Sequence, residues 1–343
     1  MLLEKKYKCR YCLLGILLLF FLVGCKKDQL QYFQESGTRF HTIYHITYQS
    51  DRLLTAEIDS TMVAFNSSLN PFDPNSLISQ VNRNETEVMD TMLRTVVLKA
   101  LEVSEQTGGV YDITGSALFD VWGFGTRKGV TREATQAELD SIAAFVGYQK
   151  IKVSGDSLLK SDPRITLNPS SLSKGYVVDL VAATLEAHGV ENYLVEIGGE
   201  IVAKGVNPDG KCWRLGINRP IEDSAQEFVD EIVYSLNLCE RGAMATSGDY
   251  RNYKLLNGKK VAHTIDVLTG RPAHQDILSA TVVAPTCMEA DAWATAFMAL
   301  GMERSMPILD QHPTLKVCFI YTDPNTNSLE VYNKGLQLTE VEK

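Results

Sequence analysis

The chain has 343 residues, of which 45% are hydrophobic, 22% are charged and only 11 are proline, so it is able to bury a large core. This composition excludes a disordered protein, a collagen-like repeat and a disulfide-rich miniprotein, and the length predicts two domains or one large composite unit. Acidic residues outnumber basic ones by 42 to 33, and no run of lysine and arginine is long enough to follow a nucleic-acid backbone, so we expect no nucleic-acid partner.

Residues 1–24 have the layout of a secretory signal peptide. Basic residues between Lys5 and Arg10 precede an uncharged run from Tyr11 to Gly24, which is shorter than the about 20 residues needed to cross a membrane. The run ends in Leu22-Val23-Gly24-Cys25, which resembles the bacterial lipobox; the alternative is an ordinary cleaved signal followed by a chance cysteine. We therefore expect a lipid on Cys25 and a membrane-anchored lipoprotein on the exported side, at the periplasmic face of the inner membrane.

The polar segment 25–37 is predicted to be a tether, followed by a domain that spans residues 38–343. β-Branched and aromatic residues predict a first strand at Phe40–Gln49. Apolar residues at helical spacing predict helices over 54–69, 92–101 and Lys174–His188. Two capping-box patterns each open an alanine-rich helix that is expected to stop near a glycine: Thr135-x-x-Glu138 before Gly147, and Thr286-x-x-Glu289 before Gly301.

The second half of the chain is rich in predicted strands. They are Tyr193–Ile197, Trp213–Asn218, Glu231–Leu238, Tyr253–Leu256, Leu278–Ala284 and Leu315–Tyr321. Strands and helices do not alternate regularly, so the predicted class is α+β, with mixed sheets and packed helices.

The cysteines and one glycine-rich segment indicate no metal or nucleotide site. The four cysteines that follow Cys25 match no zinc spacing; buried free thiols are expected, although one of three pairings could form in an oxidising compartment: Cys212, Cys239, Cys287, Cys318. Gly205-x-x-x-x-Gly210-Lys211 departs from a phosphate-binding loop at Cys212, where the required hydroxyl is missing, and is interpreted as a hairpin turn.

Seven short segments, in order over roughly residues 36–320, resemble the ApbE family of FAD:protein FMN transferases. They are Gly109–Thr114, Leu118–Gly125 (LFDVWGFG), Ser173–Asp179 (SKGYVVD), Glu196–Glu200 (EIGGE), Ala245–Arg251 (ATSGDYR), His263–Gly270 (HTIDVLTG) and Glu289–Thr295 (EADAWAT). The resemblance implies a composite α+β fold in which FAD is bound in a cleft between lobes.

The resemblance implies a Mg²⁺ site formed by the backbone carbonyl of Ser171 and the side chains of Asp291 and Thr295. The residues themselves fit that role, because Asp291 and Thr295 are spaced i, i+4 on a predicted helix and both carry hard oxygen donors. Without the resemblance, Asp291 is better interpreted as a solvated acidic residue near a helix N-terminus.

The resemblance also implies a set of FAD contacts. The predicted contacts are Ser36, Phe72, Val110, Tyr111, Asp112, Asn168, Lys174 and Ile265. Ser36 stands where the family usually has methionine, Phe72 where transferase members carry an aromatic residue, and Asn168 where aspartate is common. Ile265 is expected to contact the flavin through its backbone. Lys174 stands at a predicted helix start, where a cation is electrostatically unfavourable unless an anionic partner such as a phosphate is present; the alternative is a surface lysine. His263 is the candidate base near the acceptor hydroxyl.

The reaction implied is transfer of the FMN part of FAD to a Thr or Ser hydroxyl of an acceptor protein, with Mg²⁺ as cofactor and AMP as product. Acceptors in the family carry a short Ser/Thr motif on exported subunits of redox pumps. Two alternatives share the site: a Mg²⁺-dependent FAD pyrophosphatase that uses water, and a non-catalytic FAD-binding lipoprotein.

Overall fold

The computed structural model describes residues 30–125, 129–220, 231–248, 253–257, 259–273 and 276–341. The predicted leader and Cys25 lie outside these ranges. The described helices, in chain order, are α1 (Thr55–Leu69), α2 (Leu77–Asn82), α3 (Thr91–Gln106), α4 (Ser116–Val121), α5 (Gln136–Ala143), α6 (Ser173–Ala187) and α7 (Cys287–Gln311). Among the described residues, every helix is too short or too polar to span a lipid bilayer.

An eight-stranded antiparallel sheet forms the centre of the molecule. Its strands, in spatial order, are β1 (Gln31–Arg39), β2 (Thr42–Ser50), β5 (Tyr193–Ile197), β6 (Glu200–Lys204), β9 (Gly242–Gly248), β14 (Ile277–Ala284), β15 (Lys316–Thr322) and β16 (Leu329–Lys334). A three-stranded sheet has the order β17 (Thr339–Glu340), β8 (Ile232–Leu238), β7 (Trp213–Asn218). The remaining strands form hairpins: β3 (Ile151–Ser154) with β4 (Ser157–Lys160), β10 (Tyr253–Leu256) with β11 (Lys259–Ala262), and β12 (Ile265–Asp266) with β13 (Arg271–Pro272). The predicted α+β class with sheets and packed helices is confirmed, and the strand pairs of the described sheets are all antiparallel.

The main sheet is covered on both faces, as the alternation along β14 illustrates. Ala280, Val282 and Ala284 belong to the large core beneath the helices, whereas Val283 belongs to a smaller core formed with the three-stranded sheet. Because successive side chains of a strand point to opposite faces, a strand covered on both sides is buried along its length, and in β14 this includes Ser279 and Thr281. The strand predicted at Leu278–Ala284 is observed at Ile277–Ala284.

The predicted tether is wrong from Gln31 onward. Residues Gln31–Arg39 form β1 and pair with β2 in an antiparallel hairpin, from Gln31 opposite Ser50 to Arg39 opposite Thr42. Phe40 and His41, both with positive φ, form the turn where the first strand was expected to begin. An edge strand that is largely exposed needs no regular hydrophobic alternation, so a polar composition did not reveal it.

Helix α6 packs closely against the start of α7. A Cβ atom at Gly175 would overlap the backbone carbonyl group of Cys287, so only glycine permits this approach. The Asp179 carboxylate accepts hydrogen bonds from the amides of Cys287 and Met288 at 2.9 and 2.8 Å, and the Thr286 side chain accepts one from Glu289. These bonds satisfy amides that the first turn of a helix leaves unpaired.

Both capping predictions identified helix starts, but the second predicted stop is only a break. Thr135 and Glu138 form a reciprocal capping box at α5. Gly301 interrupts α7 with a φ of 75°, after which the helix resumes and continues to Gln311. Glycine can adopt a positive φ at low cost, so a single glycine can interrupt a helix without ending it. The position of Gly301 in the sequence does not distinguish an interruption from a helix end.

The cysteine prediction was half right. Cys212 and Cys239 form a disulfide that joins the residue before β7 to the residue after β8, whereas Cys287 and Cys318 are buried free thiols. The segment between Val206 and Cys212 is a turn held by the Asn207 side chain, as the hairpin interpretation predicted.

Candidate active site

A cleft of about 960 Å³ opens where two neighbouring strands of the main sheet stop pairing. Strand β6 pairs with β9 only from Ile201 opposite Met244 to Ala203 opposite Gly242, and β9 continues to Gly248 beyond that point. Helix α7 and strands β2 and β7 also line the cleft. Its volume lies at the upper end of the range of about 300 to 1,000 Å³ that is usual for cofactor and small-molecule sites.

The three predicted metal ligands lie together on one wall of this cleft. Thr295 directs its hydroxyl toward the Ser171 carbonyl oxygen at 3.4 Å and lies 3.3 Å from the Ser247 hydroxyl. Asp291, one turn earlier on α7, accepts a hydrogen bond from the Gly175 amide at 2.9 Å. The close packing of α6 on α7 therefore brings a carbonyl, a carboxylate and a hydroxyl oxygen to the same region.

A cluster of two buried carboxylates, Glu200 and Asp291, and one partly exposed lysine, Lys174, lies at this wall of the cleft. Lys174 donates to Glu200 Oε1, and the side chains of Lys174 and Glu200 are 40% and 3% exposed. Asp291 is 3% exposed; desolvation raises its pKa to about 8, against the opposing effect of Lys174 and with a further contribution from the negative charge of Glu200. Desolvation also raises the pKa of Glu200, although Lys174 opposes it. Burial alone would lower the pKa of Lys174, but the two carboxylates outweigh it and raise the pKa.

The partner of Lys174 therefore belongs to the chain itself. We expected an anionic ligand or a surface location to explain a cation at a helix start, and the structure provides the Glu200 carboxylate instead. The segment Glu196–Glu200 is part of the resemblance to the ApbE family, but no site role was predicted for Glu200. A Gly-Gly pair between two carboxylates was the available signal, since it predicts a tight turn that returns the chain to the same end of the sheet.

Most of the predicted FAD contacts also meet in the cleft. Gly108 and Gly109, both with positive φ, turn the chain after α3 and place Val110, Tyr111 and Asp112 along the lining. Two backbone hydrogen bonds fix the neighbouring segments, from Val267 to Val110 at 3.2 Å and from Asn168 to Ile113 at 2.8 Å, so Asn168 and Ile265 line the same cleft. Desolvation raises the pKa of Asp112, which accepts a hydrogen bond from the Thr114 amide.

Aromatic side chains give the cleft flat apolar surfaces. Phe72 is 51% exposed and lines the cleft together with Phe119 and Phe124. His263 also lines it, with its ring centroid 6.3 Å from that of Phe124 in an edge-to-face arrangement. Aromatic rings presented in this way suit a planar aromatic ligand.

Ser36 is the exception among the predicted contacts. It lies on β1, is exposed and pairs across the strands with His45, and it does not line the cleft, whereas Thr42, Ile43 and His45 of β2 do. The prediction placed Ser36 just before the domain, but it lies within an edge strand. Further cleft residues that sequence reasoning missed are Arg214, Asn218, Thr246 and Ser247.

The donor set is not a cluster of side chains of the usual metal-binding kind. In the parts of the chain that the structure describes, no group of three or more His, Cys, Asp or Glu residues is placed to hold a metal ion. The set combines one carboxylate with a carbonyl and a hydroxyl oxygen, and all three are hard ligands of the kind that Mg²⁺ prefers.

With this geometry established, comparison with known proteins identifies the family. The ApbE family matches residues 40–319, which include every segment that forms the cleft. The chain belongs to the ApbE family. Among its ApbE relatives, the FAD:protein FMN transferase of Vibrio cholerae is 35% identical over 92% of this chain and 95% of its own length, and that of Haemophilus influenzae is 34% identical over 94% and 95%.

Solved ApbE structures share the fold. The flavin transferase ApbE from Vibrio cholerae superposes with a TM-score of 0.79 at 33% identity, over 90% of this chain and 98% of that one. The apo flavinyl transferase ApbE of Pseudomonas stutzeri gives a TM-score of 0.77 at 26% identity, over 90% and 95%.

Proposed function

We propose that this ApbE family member is a Mg²⁺-dependent FAD:protein FMN transferase. The observation that carries the proposal is the convergence of Ser171, Asp291 and Thr295 in a cofactor-sized cleft lined by aromatic rings. Relatives that are named FAD:protein FMN transferases and match nearly the full chain support the assignment.

The donor set fits a divalent cation. Asp291 is a buried carboxylate that shares its nearby cation, Lys174, with Glu200, so the three groups hold two negative charges and one positive charge when ionised. A buried carboxylate without full compensation is stabilised by an added cation. When bound, Mg²⁺ would be held by the Ser171 carbonyl, Asp291 and Thr295, and would neutralise charge that develops on the phosphate oxygens.

The cleft accounts for binding and orientation of FAD. Lys174 presents its ammonium group to the phosphates, and the aromatic rings of Phe72 and Phe124 offer surfaces for the flavin. Val110, Tyr111, Asp112, Asn168 and Ile265 also line the cleft, and the Tyr111 hydroxyl accepts a hydrogen bond from the Ser171 hydroxyl at 2.9 Å. Holding both substrates in one orientation supplies much of the rate enhancement in a transfer of this kind.

The proposed reaction joins the acceptor hydroxyl to the FMN-side phosphorus of FAD. The Ser or Thr oxygen of the acceptor forms a new O–P bond, the O–P bond to the AMP phosphate breaks, and AMP leaves with the electron pair of that bond. His263 lines the cleft and is assigned as the base that receives the hydroxyl proton. The acceptor is proposed to be an exported subunit of a redox pump that carries a short Ser/Thr motif.

We also propose that the protein is exported and anchored to the membrane by a lipid on Cys25. The apolar leader and the lipobox-like residues before Cys25 support this location. The Cys212–Cys239 disulfide is consistent with an oxidising compartment such as the periplasm.

Purified protein incubated with FAD and Mg²⁺, with and without an acceptor domain, tests the activity. We expect AMP to appear only when the acceptor is present. AMP together with free FMN in the absence of acceptor would instead identify a pyrophosphatase, and no AMP under either condition would identify a non-catalytic FAD-binding protein.

A further inference from the structure

Glu200 is a buried carboxylate of which only one oxygen has a partner. The residue is 2% exposed; Oε1 accepts from Lys174, whereas Oε2 is buried and has no hydrogen-bond partner among the described residues. A buried carboxylate oxygen without a hydrogen-bond partner lowers the free energy of unfolding, that is, it destabilises the folded protein. Stability alone therefore does not explain a glutamate at this position.

The turn before β6 holds this carboxylate in place. Gly198 and Gly199, with φ values of 69° and 99°, connect β5 to β6, and the Gly198 amide donates to the Ile43 carbonyl at 3.0 Å. A Cβ atom at Gly198 would lie 3.2 Å from Glu200 Oε2 and 3.1 Å from the Thr42 hydroxyl, so the carboxylate is enclosed on that side. The Glu200 carboxylate is therefore held in a fixed position. The Lys174 side chain is flexible, and its ammonium group is positioned by the ion pair with Glu200.

Lys174 has a second anionic neighbour in the cleft. Asp291 accepts a hydrogen bond from the amide of Gly175, the residue next to Lys174, at 2.9 Å, and both Glu200 and Asp291 act electrostatically on the Lys174 ammonium group. If Glu200 were neutral, the ammonium would be drawn toward Asp291, which is assigned above to the metal. The ion pair with Glu200 keeps Lys174 at the cleft wall and leaves Asp291 available.

We propose that Glu200 is a positioning residue that acts through Lys174, holding its ammonium group where it meets the phosphates of FAD while keeping it away from Asp291. The inference rests on the proposed function, because it assigns the ion pair to FAD. Glu200 is not among the site residues that were predicted from the sequence.

Glu200→Gln tests this role, since glutamine keeps the size and one acceptor oxygen but removes the charge. We expect AMP release to fall by about tenfold to a hundredfold because the ammonium is misplaced. The Kd for FAD should change by less than about threefold, since weaker placement of Lys174 is opposed by removal of a negative charge near the phosphates. Glu102→Gln, at an exposed ion pair with Lys99, is the matched control and should behave as wild type.

A double-mutant cycle with Lys174→Met separates positioning from a structural role. If Glu200 acts through Lys174, Glu200→Gln should lower AMP release no further in the Lys174→Met background. Wild-type turnover in Glu200→Gln, or an equal loss in both backgrounds, would overturn the inference. Melting temperatures of all variants verify that they are folded.

The affinity for FAD of the same four proteins gives a second test, which does not depend on turnover. Lys174→Met should weaken FAD binding by about tenfold in the wild-type background, as expected for loss of one charge-assisted contact. In the Glu200→Gln background the effect should be less than about threefold, because the ammonium is no longer held in place. If the wild-type protein releases no AMP, the proposed function fails, and equal effects of Lys174→Met in both backgrounds would separately refute the positioning role.

Discussion

At the scale of single residues, the proposed metal site consists of oxygen atoms of three chemical types. The Ser171 carbonyl, the Asp291 carboxylate and the Thr295 hydroxyl are each held by a neighbour before any ligand binds. Asp291 accepts from a backbone amide, and Thr295 lies between a carbonyl and a second hydroxyl. These contacts hold the three oxygen atoms in place, so the proposed binding of a cation would need little reorganisation.

The first prediction concerns Asp291 and Thr295. Asp291→Asn keeps an acceptor for the Gly175 amide, and Thr295→Val removes two long hydrogen bonds, so we expect folded proteins whose stability changes by about 1 kcal/mol or less. Mg²⁺-dependent AMP release should fall by about a hundredfold or more in each, because several kcal/mol of charge stabilisation is lost. The double variant should lose little beyond either single change, since residues that serve one ion act as a unit.

Asp310→Asn is the control for this prediction, because Asp310 is exposed on the last turns of the same helix. It should leave both AMP release and the melting temperature unchanged. Retained Mg²⁺-dependent turnover in a folded Asp291→Asn variant would falsify the assignment of this residue as a metal ligand.

Sequence reasoning predicted that these three residues act together, and they line one cleft in the structure, but it did not predict their surroundings. The i, i+4 spacing of Asp291 and Thr295 is a local property of one helix, so it could be predicted from the chain. The pairing of Lys174 with Glu200 joins the start of α6 to the start of β6, 26 residues later, and depends on how a helix packs on a sheet. Ser36 does not line the cleft. Its place in the edge strand β1 could not be predicted, because that strand has no regular hydrophobic alternation.

At the scale of elements, the contact between α6 and α7 determines the geometry of the donors. Gly175 allows the helices to approach, its amide holds Asp291, and Asp179 from the next turn caps α7. A change in this contact should therefore affect stability and activity together.

Gly175→Ala is the second prediction. The added methyl group overlaps the Cys287 backbone, which cannot move aside as a flexible side chain would, so we expect a loss of about 1 to 3 kcal/mol in the free energy of unfolding. AMP release should fall as well, because the amide that holds Asp291 is displaced. Thermal melting and the AMP assay measure both effects; Ala183→Ser, exposed on the same helix, is the control. A variant with unchanged melting temperature and activity would contradict the proposed role of the contact.

The third prediction concerns the disulfide between β7 and the end of β8. Cys212 and Cys239 are 27 residues apart, and removal of a cross-link over such a loop is expected to cost about 3 kcal/mol. The double variant Cys212→Ser/Cys239→Ser should unfold at lower urea concentration than the oxidised wild type and should be insensitive to reductant. If the wild type is equally stable in oxidising and reducing buffer, the disulfide does not stabilise the protein.

At the scale of the whole molecule, the regular parts of the fold could be predicted, whereas the strand order could not. Trp213–Asn218 was predicted with its observed bounds because aromatic and branched residues mark it locally. Strand β9 (GAMATSG) is composed mostly of small residues and was missed, although it lies at the centre of the main sheet and lines the cleft. Its neighbours β6 and β14 lie far from it along the chain, so their pairing is set by packing rather than by local pattern.

The fourth prediction concerns attachment to the membrane. If Cys25 carries a lipid, the exported wild-type protein should fractionate with membranes, and mass spectrometry should detect an acylated N-terminal cysteine. Cys25→Ser should leave the protein unprocessed or in the soluble exported fraction. An unmodified Cys25 in the mature wild-type protein would contradict the anchor.

The most direct measurement of the central claim is the mass of an acceptor domain after incubation with this protein, FAD and Mg²⁺. The account predicts that the acceptor gains the mass of one FMN linked by a phosphoester, with one AMP released for each acceptor modified. An acceptor whose Thr is replaced by Val should gain nothing and should yield no AMP. AMP release without any gain in acceptor mass, or equal modification of both acceptors, would contradict transfer to a hydroxyl group.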